Sequence, residues 1–148
     1  MVGRLARYLR FVGCDTTYAR GLSDDEILTQ ARSDGRVILT RDRNLAGRAA
    51  RALLLDSPTL ADQWRAVRSA FPDLPSEVRF ERCTLCNRRL ERLSETSTEP
   101  RAQGVPWDRV DRGLPLFRCG ACGHYYWEGS HTAEIRARLA SWNEGVRP

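Results

Sequence analysis

Apolar residues recur at helical spacing at the start of the chain, where Leu5, Leu9 and Val12 share one face between Gly3 and Val12 and Gly13 supplies a stop. Arg4, Arg7 and Arg10 fall three apart along the same helix. They read as a solvated basic face opposite the stripe, with a phosphate-facing row as the alternative. Thr16 to Ala19 is short and β-prone, and Ser23-Asp24-Asp25-Glu26 then opens a second helix in which Ile27, Leu28 and Ala31 keep helical spacing up to Gly35. Ser23 and Glu26 form a capping-box pattern, and Asp24 and Asp25 fall in the first turn, where the helix dipole favours anions. Val37-Ile38-Leu39 is an apolar run of buried-strand type that stops at Thr40-Arg41-Asp42-Arg43. A short helix over Leu45 to Ala50 leads to a third apolar strand, Ala52 to Leu55, which ends in Asp56-Ser57-Pro58. Ser57 or Thr59 then caps a helix through Leu60, Trp64 and Val67 that ends before Pro72.

Strand and helix alternate, so the pattern predicts an α/β unit with a parallel sheet over residues 1–72. Ligands of open parallel sheets bind outside the carboxyl ends of the strands. Asp24, Asp42 and Asp56 follow three such ends. Carboxylates gathered there suit Mg or Mn and metal-assisted phosphodiester hydrolysis, while Arg41 and Arg43 beside Asp42 suit a phosphate. Three unrelated helix caps explain the same acids.

A different module follows the proline-punctuated stretch Phe71 to Ser76 and occupies 77–148. Cys83-Thr84-Leu85-Cys86 and Cys119-Gly120-Ala121-Cys122 are two knuckles whose spacing suits four thiolates on one tetrahedral, structural zinc. Leu116-Phe117-Arg118 and Tyr125-Tyr126-Trp127 read as flanking strands, and a final helix runs from about Thr132 to Trp142 with Ile135 and Leu139 on its apolar face. The polar insertion from Ser94 to Gly113, with Trp107 as its one large apolar group, is expected to be a loop. His124 and His131 read as neighbours of the metal site or surface residues, and Cys14 as no ligand.

The chain has 148 residues, 41% hydrophobic and 29% charged, which is enough for one ordinary core or for a small domain plus a stapled module. It has no stretch of membrane-span length and no signal-peptide core, so a cytoplasmic protein is expected. The net charge of +5 suits an acidic partner such as nucleic acid, and all 24 basic residues are arginine. Four of the five cysteines pair as C-x2-C, which without a secretion signal argues for metal rather than disulfides.

Several motifs combine in order over nearly the whole chain: Gly3-Arg4-Leu5-Ala6-Arg7-Tyr8-Leu9-Arg10, Ser23-Asp24-Asp25-Glu26-Ile27-Leu28, Ile38-Leu39-Thr40-Arg41-Asp42-Arg43, both knuckles, and Tyr126-Trp127-Glu128-Gly129-Ser130-His131. Together they resemble the Mut7-C RNase domain family. The resemblance implies a PIN-like three-layer parallel sheet with an attached zinc ribbon, acting on RNA with a divalent metal. It makes Asp24 and Asp42 the site acids and Mg or Mn ligands, with Asp25 as an auxiliary. Members usually begin with a strand ending in aspartate just before the helix matching Gly3 to Val12. This chain opens in that helix, so the resemblance implies a PIN-like sheet lacking its first strand, in a chain shortened at its start or in a relative that binds without cutting. The leading expectation is a metal-dependent ribonuclease whose Arg41, Arg43 and Arg7 contact RNA. The alternatives are a catalytically inactive RNA-binding zinc-ribbon protein and a zinc-stapled protein-interaction module.

Overall fold

The computed structural model describes residues 3–94 and 101–144. The chain divides into two compact units, one of Met1–Ala6, Thr17–Leu74 and Trp142–Pro148, the other of Arg7–Thr16 and Pro75–Ser141. Helix α1 (Gly3–Phe11) is divided between them after Ala6, and α6 (Ser130–Asn143) after Ser141.

In the first unit, α2 (Asp24–Ser33) starts as its sequence predicts, with the Glu26 carboxylate accepting from Ser23 N–H at 2.7 Å and Ser23 Oγ accepting from Glu26 N–H at 3.4 Å. Strand β1 (Ile38–Thr40), helix α3 (Arg43–Arg48) and strand β2 (Ala52–Leu54) form a βαβ unit. The two strands run parallel, with Ile38 opposite Ala52 and Thr40 opposite Leu54. The ladder extends by one bond at the far end, where Leu55 N–H donates to Thr40 C=O at 2.7 Å. Ile38, Leu45 and Leu55 are buried. Helix α4 (Leu60–Ala70) buries Trp64 and Val67, and the Trp64 indole N–H donates to Asn143 Oδ1 at 2.9 Å. Burial of a side chain such as Val67 contributes ~1.5–3 kcal/mol, which makes this helix face a main anchor of the unit.

The parallel sheet has two strands among the described residues, not the three expected. No strand forms over Thr16 to Ala19. Both backbone groups of Thr16 are taken by side chains instead. Its N–H donates to Asn87 Oδ1 at 3.1 Å, and its C=O accepts from Arg10 Nε at 2.7 Å. Its N–H, the one donor it could offer a ladder, is thereby taken.

The second unit is built on an antiparallel sheet in the order β3 (Glu91–Arg92), β4 (Leu116–Arg118), β5 (Tyr125–Trp127). Leu93, Val110 and Leu116 form its small core, with Val105, Trp107, Tyr125 and Trp127 packed against it. The expected loop therefore needs correction over 101–113. Its α5 (Asp108–Asp111) buries Val110, and Trp107 meets the Tyr125 ring edge-on at 5.5 Å. Arg101 lies 5.9 Å from the Trp107 ring centre and binds Asp111 at 2.7 Å. The apolar demand of a minimal module is what recruits the insertion. Residues 95–100 of that expectation lie outside the described residues. Ile135 and Leu139 of α6 are buried, as expected.

Candidate metal centre and acidic edge

The two cysteine knuckles are built alike. Cys83 C=O accepts from Asn87 N–H at 2.9 Å, and Cys83 N–H donates to Arg88 C=O at 2.7 Å. Thirty-six residues on, Cys119 C=O accepts from Gly123 N–H at 2.8 Å and Cys119 N–H donates to His124 C=O at 2.9 Å. Each knuckle turns through a left-handed residue at the same offset, Asn87 (φ 69°) and Gly123 (φ 74°). Glycine and asparagine are the residues that enter this region most readily. The turns bring Cys83, Cys86, Cys119 and Cys122 together with all four sulfurs within 4.8 Å of one another. Cys83 and Cys122 lie 3.5 Å apart and Cys86 and Cys119 3.4 Å apart. Zn–S bonds of ~2.3 Å in a tetrahedron require sulfur separations of ~3.8 Å, so the donor set fits zinc. Four thiolates fill such a coordination sphere, which is the mark of a structural site. Cys14 and both histidines stand outside this group.

The thiols are electrostatically unequal. Burial pushes the Cys83 thiol up, but the Tyr126 hydroxyl at 3.1 Å and the backbone N–H groups of Cys86 and Leu85 outweigh it and bring Cys83 down to about 6. Burial, together with the neighbouring cysteines, pushes Cys122 up to about 12 and raises Cys86. A bound cation would offset the burial that raises Cys86 and Cys122.

The acids are arranged differently. Asp42 follows β1 directly and caps α3, its Oδ1 accepting from Asn44 N–H at 2.7 Å and from Leu45 N–H at 3.2 Å. Its own N–H donates to Thr40 Oγ1 at 3.0 Å, which fixes the backbone at the strand end. Asp56 follows Leu55 at the same end of β2 and pairs with Arg43 at 2.9 Å. Asp24 and Asp25, in the first turn of α2, both face Arg48 of α3, Asp24 at 3.9 Å and Asp25 in direct contact. Helix α3 thus sets an arginine against three of the four acids. Among the described residues, the cysteines are the one group of three or more metal-ligating side chains with donor atoms this close, so these acids do not form such a trio. Arg7, Arg41 and Arg43 are exposed.

The family described as Mut7-C RNAse domain matches residues 1–139. The chain belongs to the Mut7-C RNase domain family. The match takes in both knuckles and every acid of the β1–β2 edge. No curated protein and no solved structure matches the chain.

Two residues at the metal centre of this Mut7-C domain escape a sequence reading. Tyr126 reads as a strand residue, yet its hydroxyl accepts from Thr84 N–H at 3.1 Å and faces Cys83 Sγ. Arg10 reads as part of a solvated face with Arg4 and Arg7, which are exposed, but Arg10 itself is only 6% exposed. Its Nη1 donates to the carbonyls of Thr84 at 3.0 Å and Leu85 at 2.9 Å. Three-residue spacing cannot separate a solvated arginine from one recruited by a partner 74 residues away. No described helix of the Mut7-C domain is long and apolar enough to cross a membrane.

Proposed function

We propose that this Mut7-C domain is a metal-dependent ribonuclease that hydrolyses RNA phosphodiester bonds on a PIN-like scaffold. The observation that carries the reading is the placement of Asp42, held by two amide bonds at the carboxyl end of β1, on the edge where the parallel strand β2 delivers Asp56. Asp24 and Asp42 would hold Mg or Mn, with Asp25 as an auxiliary. Mg is usually bound by one or two protein carboxylates, the remaining positions going to water and phosphate oxygens, so a trio of acids is not required. When bound, the ion supplies an activated water and charge stabilisation at the phosphoryl group. The cap fixes the Asp42 carboxylate through Oδ1 alone, which leaves Oδ2 outside the cap bonds. Arg41, Arg43 and Arg7 bind the phosphates and orient the strand. The cysteine centre holds zinc structurally, and its reduced thiolates suit a cytoplasmic location.

Zinc-loaded protein and labelled single-stranded RNA test the reading, with Mg or Mn against EDTA and Asp42→Asn as the control for contaminating nuclease. Cleavage that needs the metal and disappears in the variant supports it; equal cutting by parent and variant overturns it. A second reading, RNA binding without cleavage, is favoured by the arginines already set against Asp24, Asp25 and Asp56. It predicts RNA affinity that weakens with rising salt and no turnover under any metal.

A further inference from the structure

Arg10 stands in an unusual relation to the first knuckle. The peptide unit joining Thr84 to Leu85 and the one joining Leu85 to Cys86 each point their oxygen at the Arg10 guanidinium, at 3.0 and 2.9 Å. Those two peptide units are the ones that lie between Thr84 and Cys86, inside the span from the first ligand of the knuckle to the second. One buried cation therefore grips the oxygen ends of the turn that sets Cys83 against Cys86. A zinc tetrathiolate carries a formal charge of about −2, which a buried guanidinium offsets.

Further bonds fasten the same segment. Asn87, the left-handed residue of the knuckle, donates from Nδ2 to Asp15 at 2.7 Å and accepts at Oδ1 from Thr16 N–H at 3.1 Å. Arg82 meets Asp15 at 3.3 Å, and Arg79 N–H donates to Phe11 C=O at 2.7 Å. The end of α1 and the turn after it are thereby bonded to residues 79–87.

We infer that Arg10 is a positioning residue of the zinc centre: it orients the two peptide units between Cys83 and Cys86, and through it zinc uptake and the folding of Arg7–Thr16 become one event. The inference depends on zinc at the four cysteines and not on RNA cleavage. The segment it ties to the metal includes Arg7, one of the arginines assigned to RNA.

The test uses the full chain, zinc-loaded, with two measurements: competition for zinc with a chromogenic chelator, and hydrogen exchange of the amides of residues 7–16 before and after zinc removal. Removing zinc from the parent should release the protection of 7–16 while α4 stays protected. Arg10→Met, which keeps the bulk and removes the donors, should weaken zinc affinity ~10–100-fold, the range seen when outer partners of metal ligands are lost. Arg10→Lys should recover only part of it. If Arg10→Met does not fold, Asn87→Gly serves: it keeps the left-handed turn, removes the bonds to Asp15 and Thr16, and should expose 14–16 to exchange with a smaller zinc effect. Protection of 7–16 that survives zinc removal, or zinc held as tightly by Arg10→Met as by the parent, overturns the inference and leaves the zinc centre standing. A parent chain that takes up no zinc overturns both.

Discussion

The cysteine centre and the acids of the first unit are both sets of side chains that are negative when ionised, and the two are built in opposite ways. At the cysteines, two knuckles with the same bonding pattern bring four donors within 4.8 Å, and Arg10 approaches through the peptide backbone. At the acids, arginines of α3 pair with Asp25 and Asp56 and lie 3.9 Å from Asp24, all three acids being exposed. Exposed pairs of that kind contribute ~0–1 kcal/mol and exchange readily, whereas structural zinc in small modules contributes ~10–16 kcal/mol that is also folding energy. On the reading proposed above, one site is made for an ion that stays, and the other for ions and phosphates that come and go.

Breaking the permanent site should give the largest effect. Cys119→Ser, or stripping with a chelator, should unfold the β3–β5 sheet, seen as loss of hydrogen-exchange protection there, while the β1–β2 ladder keeps its own. If the ribbon stays protected without zinc, its small core carries more of the stability than the contrast allows. Asp42→Asn comes next. RNA cleavage should fall at least ~100-fold, yet stability should change by no more than ~0.5 kcal/mol, because asparagine caps a helix about as well as aspartate. A matching loss of stability would mean that the charge serves the fold rather than the ion.

Acid should weaken the cysteine centre. Without metal, the Cys83 thiol lies below its ordinary range in the folded chain, so the stability its thiolate adds is fully present above pH 9 and is lost as pH falls through about 6. Zinc affinity, which needs deprotonated ligands, should weaken as pH falls. Tyr126→Phe removes the strongest of the bonds that lower Cys83 and should shift zinc release to higher pH by up to ~1 unit, at a stability cost of ~1 kcal/mol from the unpaired Thr84 N–H. The smallest effect is expected of Arg48→Ala. Taking away the resident cation should strengthen Mn binding at the acidic edge a few-fold, measured by electron paramagnetic resonance titration. Weaker binding would show that Arg48 holds Asp24 and Asp25 in position rather than competing with the ion.

Local signals were legible from the residues, and long-range recruitment was not. The capping box at Ser23, the cap at Asp42, the zinc knuckles and the helix through Trp64 each depend on neighbours a few positions away or on ligand chemistry that spacing reveals. The Thr16 to Ala19 strand failed because its backbone partners, Asn87 and Arg10, are chosen by the tertiary fold. Trp107 was visible as the one large apolar side chain of its insertion, which was the available hint that this stretch folds onto something. Arg10 offered no hint, since its spacing matches that of two exposed arginines.

The insertion carries a practical consequence. Zinc bound at the knuckles would tie Cys86 to Cys119 and close the chain between them into a ring. Enlarging a closed ring costs little, ~0.6 kcal/mol for each doubling of its length. A graft that leaves Leu93, Arg101, Val105 and Trp107 in place, such as an affinity sequence, should therefore cost the zinc-loaded chain little stability.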